Sequence, residues 1–193
     1  MGNDNKPDEF EIIARYFAPL ATGEPGGLNL SDDAAILTPP PGRELVVTTD
    51  TLCAGVHFPV EEDPADIAAR LIGVNLSDLA AMAATPWVYS LSLALTEDCS
   101  TDFIEAFAEE LGRQQDAHGL HLIGGDTVAT KGPFTLTLTA IGTVAEGQAL
   151  RRSGAAAGDD VYVSGSIGDA ALGLKVLNRE LTGLTKPHAD HLL

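Results

Sequence analysis

The spacing of hydrophobic residues predicts three helices in the first two thirds of the chain. Residues 8–17 place Ile12, Ile13, Tyr16 and Phe17 at helical spacing behind an acidic first turn. Residues 63–84 begin near a proline and are apolar almost all round, which predicts a buried helix. A third helix is capped by Ser100 or Thr101 and ends at Gly119.

Short runs of β-branched and apolar residues between these helices predict strands. Thr135, Thr137 and Thr139 alternate with apolar residues, as expected for a strand with two different faces. The predicted strands are residues 34–37, 45–49, 87–95, 120–123 and 134–144. These strands point to a small sheet.

A small, polar, glycine-rich segment after Val144 predicts a domain boundary. We place an N-terminal domain at residues 1–148 and the start of a second domain at 149–193. The second unit is predicted to contain a strand at 160–164, a turn at 165–168 and a helix from Asp169 toward Leu177. One strand and one or two helical pieces have no sheet to pack against, so the chain is expected to be truncated.

Composition narrows the functional classes. The 193 residues carry 28 Asp and Glu against 11 Lys and Arg, a net charge of −17, which argues against a nucleic-acid-binding protein. No apolar run is long enough for a membrane span. The N-terminus lacks the features of a secretory signal, so a cytoplasmic location is expected. Cys53 and Cys99 have no metal-type spacing and are expected to be reduced thiols.

The positions of the acidic residues suggest a metal site. Asp32 and Asp33 precede a predicted strand, whereas Asp50 and Asp126 follow strands, and Asp78 lies inside the apolar helix, where a buried carboxylate would need a partner. Few Lys or Arg side chains lie nearby in the sequence to pair with these carboxylates. Oxygen ligands without clustered His or Cys favour Mg²⁺, which commonly bridges carboxylates and phosphates. Turn formation by Asp32, Asp33 and Asp126, and capping by Asp50, remain alternatives.

Three other features could contact an anionic ligand. His57 follows Asp50 by seven residues and could touch substrate or metal, or could be a packed or solvent-facing residue. Arg151 and Arg152 form an adjacent basic pair that could hold a phosphate or belong to a solvated linker. The glycines of residues 165–169 could cradle a phosphate, although the P-loop and dinucleotide-binding motifs are absent.

Six motifs, in this order, together resemble the thiamine-monophosphate kinase family. They are IARYF at 13–17, SDDAAIL at 31–37, TTDTL at 48–52, NLSDLAAM at 75–82, LIGGDT at 122–127 and RRSGAAAGD at 151–159. The resemblance covers essentially the whole chain, but only a little over half of a typical family member. The related superfamily includes aminoimidazole-ribonucleotide synthetase, selenophosphate synthetase and a hydrogenase-maturation protein.

The resemblance implies an activity and an assembly. The family transfers the γ-phosphoryl group of ATP to thiamine monophosphate, giving thiamine diphosphate. It also implies an N-terminal α+β domain with a mixed sheet and helices on one face, followed by a second α+β domain. The sheets of two copies would pair in a barrel-like interface of a homodimer, and a cleft between the two domains would hold ATP and several Mg²⁺ ions. Phosphoryl transfer relies mainly on positioning and charge neutralisation, so we assign no general base.

The resemblance also implies roles for individual residues. The positions that match ATP contacts are Gly125, Asp126 and Arg152, and His57 matches a contact to the thiamine phosphate. The positions that match metal ligands are Asp33, Thr48, Thr49, Asp50, Asp78 and Asp126.

Two departures from the family pattern are visible. Ser31 stands where the family commonly has glycine before the Asp-Asp pair. The second acidic motif and the residues that hold the thiamine ring, which belong to the family's C-terminal domain, are missing from the sequence, which leaves open whether this chain alone is active. A related enzyme with another acceptor, or a non-catalytic dimerisation and metal-binding fragment, are the alternatives. No cysteine precedes Cys53, which weakens the case for a selenophosphate synthetase.

Overall fold

A computed structural model describes residues 9–178 and 180–185 of the chain. Contacts between Cα atoms divide the chain into two compact units, Met1–Arg152 and Ser153–Leu193. The first unit contains a four-stranded sheet and the second contains one helix in its described part. In the described residues, no helix is both long enough and apolar enough to cross a membrane.

The sheet of the first unit is mixed. Its strands are β1 (Arg43–Cys53), β2 (Thr85–Leu95), β3 (His121–Ala129) and β4 (Thr135–Ala145), in the spatial order β1-β4-β2-β3. Strand β4 pairs antiparallel with both β1 and β2, whereas β2 and β3 are parallel. β1 and β3 therefore form opposite edges of the sheet.

Two long helices are bounded by the caps that the sequence indicates. Helix α2 (Pro64–Ala81) follows Asp63, whose Oδ1 accepts a 2.9 Å hydrogen bond from the Ala65 amide. Helix α3 (Thr101–His118) connects the parallel strands β2 and β3. Ser100 Oγ accepts a bond from the Phe103 amide at its start, and Gly119 ends it in a left-handed conformation. These predictions are confirmed.

The core lies between the sheet and one layer of helices. Leu71 and Leu79 of α2 are fully buried, as are Leu136 and Leu138 of β4. On the other face of the sheet, Val47 remains 59% exposed. The prediction of a mixed sheet with helices on one face is therefore confirmed for this unit.

Two predicted strands are absent. Residues 34–37 are irregular, because Ile36 donates its amide to Gly26 O instead of to a strand and three prolines follow. Residues 160–164 are also irregular, and the Val161 side chain is 97% exposed. The described residues of the second unit contain no other strand with which residues 160–164 could form backbone hydrogen bonds. The turn and helix α4 (Asp169–Leu177) are confirmed.

The first helical segment is more irregular than its spacing suggests. Helix α1 (Glu9–Ile12) continues as a π-helical turn at Ile13–Phe17, and Asp8 lies outside the described residues. A short 3₁₀ helix, Pro25–Leu30, then leads to the Asp32-Asp33 pair. Within it, Leu28, Asn29 and Leu30 have φ values of 50°, 54° and 56°. Three consecutive left-handed residues without glycine are rare, since each costs conformational energy.

Candidate functional site

Thr48 and Asp78 form the first part of the candidate site. The Thr48 hydroxyl on β1 donates a 2.6 Å hydrogen bond to Asp78 Oδ2 on α2. Asp50 lies two residues further along β1, on the same face of the sheet as Thr48, and is half-buried. Helix α2 and strand β1 thus bring two carboxylates and a hydroxyl to one edge of the sheet.

The prediction that Asp78 is buried is wrong. Its side chain is exposed, because it lies at the border of the apolar face of α2 and not in its middle. The buried polar residue of this helix is Asn75, which has no exposed surface. Its Nδ2 donates to Leu71 O at 2.9 Å, and its Oδ1 has no hydrogen-bond partner among the described residues.

Asp126 and Gly125 belong to the second part of the site, on β3. The interpretation of Asp126 as a residue that follows a strand is wrong, because β3 continues through Gly124 and Gly125 to Ala129. Asp50 likewise lies within β1 and not at its end. At Gly125 an added Cβ would meet Leu91 O at 1.8 Å. The glycine is therefore required by the close approach of β2.

Asp32, Asp33, Gly125 and Asp126 line one cavity of about 210 Å³. The apolar part of its wall includes Phe17. Asp32 also acts as a turn former, since its Oδ1 accepts a 2.9 Å bond from the Asp33 amide. The structure thus brings Asp33 and Asp126 to the same cavity, although they are 93 positions apart in the sequence.

The wall of this cavity is supported from behind by a buried hydrogen-bond network. The Tyr89 hydroxyl donates to Gln115 Oε1 at 2.8 Å, and the Leu122 amide donates to the same oxygen at 3.2 Å. Leu122 lines the cavity. Burial raises the pKa of the Tyr89 phenol well above its usual value, because an ionised phenolate would lose its hydration. This network connects β2, α3 and β3.

The two parts of the site lie at opposite edges of the sheet. Asp50 pairs with Leu138, Leu138 with Leu91, and Leu91 with Gly125, the neighbour of Asp126. Asp50 and Gly125 are therefore three strand spacings apart across the sheet, which corresponds to about 14 Å between their backbones. In the described part of the chain, no group of three or more His, Cys, Asp or Glu side chains is gathered so that it could hold a metal ion.

A separation of this size exceeds what one ion can bridge. Magnesium–oxygen bonds are about 2 Å long, so two carboxylates on one ion must approach each other closely. Thr49 is also turned away from Thr48, since its hydroxyl hydrogen-bonds to that of Thr139 at 2.9 Å. Within one chain, the predicted ligands therefore form two separate groups, Thr48 with Asp50 and Asp78, and Asp33 with Asp126.

His57 lies in a tight turn after β1 and its side chain is exposed. Its Nδ1 accepts a 3.0 Å hydrogen bond from the Cys53 amide. Arg152 is exposed and lies at the start of a short 3₁₀ helix, Arg152–Gly154. Two residues before it, the Leu150 amide donates to Met82 O just after α2. Within the described residues, neither His57 nor Arg152 forms a hydrogen bond or an ion pair with the two acidic groups.

Sequence reasoning missed two acidic residues that support the site. Glu24 Oε1 accepts from the Gly26 amide at 3.0 Å and its Oε2 accepts from Trp87 Nε1 at 2.9 Å. This connects the segment before Asp32 to β2. Glu62 holds Arg70 through two hydrogen bonds of 2.7 Å. Neither contact has a local spacing that would have indicated it.

Comparisons with known proteins give the chain a family. Residues 31–144 match the model of "AIR synthase related protein, N-terminal domain". A thiamine-monophosphate kinase from Caulobacter vibrioides is 44% identical over 168 residues, covering 87% of this chain and 48% of the relative. The chain spans about half the length of the curated relatives it matches.

Solved structures agree with the sequence comparison. The crystal structure of thiamine-monophosphate kinase from Stenotrophomonas maltophilia has a TM-score of 0.75 and 46% identity, covering 85% of this chain and 52% of that one. AaThiL complexed with AMPPCP and TMP has a TM-score of 0.71 and 28% identity, covering 83% and 51%. The resemblance to thiamine-monophosphate kinases is thereby confirmed, and the chain belongs to the AIR synthase related protein family, whose N-terminal domain it contains.

Proposed function

We propose that this chain is the nucleotide- and metal-binding part of an enzyme that phosphorylates thiamine monophosphate with ATP to give thiamine diphosphate. The names of its relatives support the reaction, and AaThiL binds AMPPCP and TMP. The observation that carries the proposal is that Asp33 and Asp126 line one cavity while Thr48 and Asp78 are hydrogen-bonded at the opposite edge of the sheet.

The chemistry of these residues fits Mg²⁺. All candidate ligands present oxygen atoms, and hard divalent cations prefer oxygen. Bound Mg²⁺ would neutralise the phosphate charge and orient the γ-phosphoryl group. Thr48, Asp50 and Asp78 would form one group of ligands, and Asp33 and Asp126 the other. Thr49 stays a predicted ligand on the other face of β1, where its hydroxyl bonds to that of Thr139.

We further propose that two copies of the chain complete each site. The acidic groups at opposite edges of one sheet cannot share an ion, whereas two sheets that close into one barrel around a two-fold axis would have β1 of one copy beside β3 of the other. The face of the sheet that the helices leave open includes Val47, which is 59% exposed and is suited to an interface. Like charges from two subunits can approach only when cations are bound, so Mg²⁺ and the dimer would support each other.

The remaining roles follow from the same proposal. Gly125 and Arg152 would contact ATP, with Arg152 supplying a guanidinium group for phosphate oxygens. His57 would contact the phosphate of thiamine monophosphate. The domain limits of 1–148 and 149–193 and the cytoplasmic location remain predictions.

The proposal is tested by titrating the chain with AMPPCP in the presence and absence of Mg²⁺. We expect saturable binding that needs Mg²⁺ and that weakens at least tenfold in D126N, because a charged ligand of the ion is lost. The control is D116N, which removes the same charge from an exposed position on α3 outside the cavity. Equal binding by D126N and D116N would contradict the proposal, as would binding that is independent of Mg²⁺.

A further inference from the structure

The backbone of its own turn holds the neutral ring of His57 in one tautomer. Its Nδ1 accepts the Cys53 amide proton at 3.0 Å. A neutral imidazole has one donor nitrogen and one acceptor nitrogen. Because Nδ1 is the acceptor here, the proton of the neutral ring must lie on Nε2. The turn therefore presents a single N–H donor outward from the exposed side chain.

The backbone carbonyl of His57 is held by an ion pair, Glu62 with Arg70, that belongs to neither group of candidate metal ligands. Arg70 Nη1 donates to His57 O at 3.3 Å. The guanidinium is fixed in turn by Glu62, with Nη1 and Nη2 each 2.7 Å from a carboxylate oxygen. The Arg70 side chain is 30% exposed and that of Glu62 only 10%. A two-pronged pair that is partly shielded from water fixes geometry better than a single surface contact.

The turn itself is anchored in the core. Phe58 follows His57, is 4% exposed, and meets the ring of Phe134 edge-on at 6.2 Å. The Gly55 amide donates to Phe58 O at 2.8 Å, and Gly55 has a positive φ of 77° that suits glycine. The His57 amide donates to Cys53 O at 2.9 Å. Packing at Phe58 and hydrogen bonds around Cys53 thus restrict the turn from both sides.

We propose that Glu62 and Arg70 are positioning residues that, together with the Cys53 amide, hold the His57 imidazole with its Nε2–H directed at a phosphate oxygen of the substrate. The inference rests on the proposed function only in naming thiamine monophosphate as that substrate. Arg70 itself is engaged by Glu62 and His57 O and acts through the histidine. Such positioning would favour binding, because the Nε2–H donor of His57 is already ordered before the ligand binds.

The test is nitrogen NMR of the histidine rings in the ¹⁵N-labelled chain at mildly alkaline pH, where imidazoles are generally neutral. H57Q identifies the His57 signals. In the unaltered chain we expect His57 to be almost entirely in the form protonated at Nε2. In R70Q and E62Q we expect the two ring nitrogens to shift toward values averaged between the two neutral forms.

The matched control is R113Q, which removes an arginine from another glutamate pair, Arg113 with Glu110 at 2.7 Å, on α3. It should leave the His57 signals unchanged. An averaged or Nδ1-protonated ring in the unaltered chain would overturn the inference, as would unchanged His57 signals in folded R70Q and E62Q. If R70Q does not fold, E62Q decides, because it keeps the shape of the carboxylate.

A titration with thiamine monophosphate separates this inference from the proposed function. We expect the Nε2–H signal to shift on binding, and the affinity of R70Q to fall about three- to tenfold, in line with the value of one hydrogen bond. A fixed Nε2–H form that depends on Arg70, and that does not respond to thiamine monophosphate while calorimetry shows the compound bound, would uphold the positioning and would refute the substrate contact of His57.

Discussion

Gly125 lies so close to the carbonyl oxygen of Leu91 that an added Cβ would sit 1.8 Å from it. The neighbouring Gly124 has open space, because no atom lies within 4 Å of its Cβ position. The same substitution at two adjacent positions should therefore have very different effects. We expect G125A to lower the free energy of unfolding by about 3 kcal/mol or more, since backbone must move, and G124A to leave it within about 0.5 kcal/mol.

Urea denaturation of both variants measures this difference. If G125A were as stable as G124A, β2 and β3 could separate at this point without cost, and the tight packing described for the cavity wall would be wrong. A stable G125A variant that had lost nucleotide binding would instead favour a purely ligand-contacting role for the glycine.

The left-handed turn at Leu28–Leu30 predicts opposite effects for two substitutions of one exposed residue. Asn29 has a φ of 54° and an exposed side chain. Glycine adopts this conformation freely, whereas a β-branched residue strongly resists it. We expect N29G to be neutral or to raise the free energy of unfolding by up to about 1 kcal/mol, and N29V to lower it by about 1–2 kcal/mol. Thermal unfolding of the two variants shows which is more stable. An N29V variant more stable than N29G would contradict the left-handed conformation of residue 29.

The buried phenol of Tyr89 predicts a loss of stability at alkaline pH. Unfolded tyrosine releases its proton near pH 10, whereas burial raises the pKa of Tyr89 and keeps the folded form protonated. Above about pH 10 the unfolded state thus binds fewer protons, and the free energy of unfolding falls by up to about 1.4 kcal/mol per pH unit. Below about pH 10 the contribution of Tyr89 is fully present.

Urea denaturation between pH 8 and 11.5 measures that slope. Y89F should reduce it, since the titrating group is removed, although it also removes the bond to Gln115 and lowers stability at every pH. Y162F is the control, because Tyr162 is 89% exposed. Identical slopes in the unaltered chain and Y89F would contradict the assigned burial.

The elements that could be predicted from the sequence are those fixed by local signals. Asp63, Ser100 and Gly119 mark the limits of α2 and α3 because capping depends on neighbouring backbone groups. The motifs around Thr48, Asp78 and Asp126 led to the family by resemblance. None of these inferences needed knowledge of the packing.

The errors arose where distant parts of the chain decide the structure. The Gly124-Gly125 pair suggested a strand end, but parallel pairing with β2 carries β3 past it. The apolar pattern of α2 could not distinguish buried Asn75 from exposed Asp78, which lie less than one turn apart. The separation of Asp50 from Asp126 follows from the strand order, which no local pattern encodes.

In the proposed dimer, Asp50 of one copy and Asp126 of another belong to the same site. The most direct test of this arrangement is a heterodimer of one D50N chain and one D126N chain, co-expressed with two different tags, purified through both, and titrated with AMPPCP and Mg²⁺. Each variant alone should bind at least tenfold more weakly than the unaltered protein, but the heterodimer contains one site with both carboxylates intact. It should bind about half as much nucleotide per dimer as the unaltered protein, with the unaltered affinity. A purified heterodimer that binds no nucleotide, while the unaltered dimer does, would show that each site belongs to a single chain and would contradict the account.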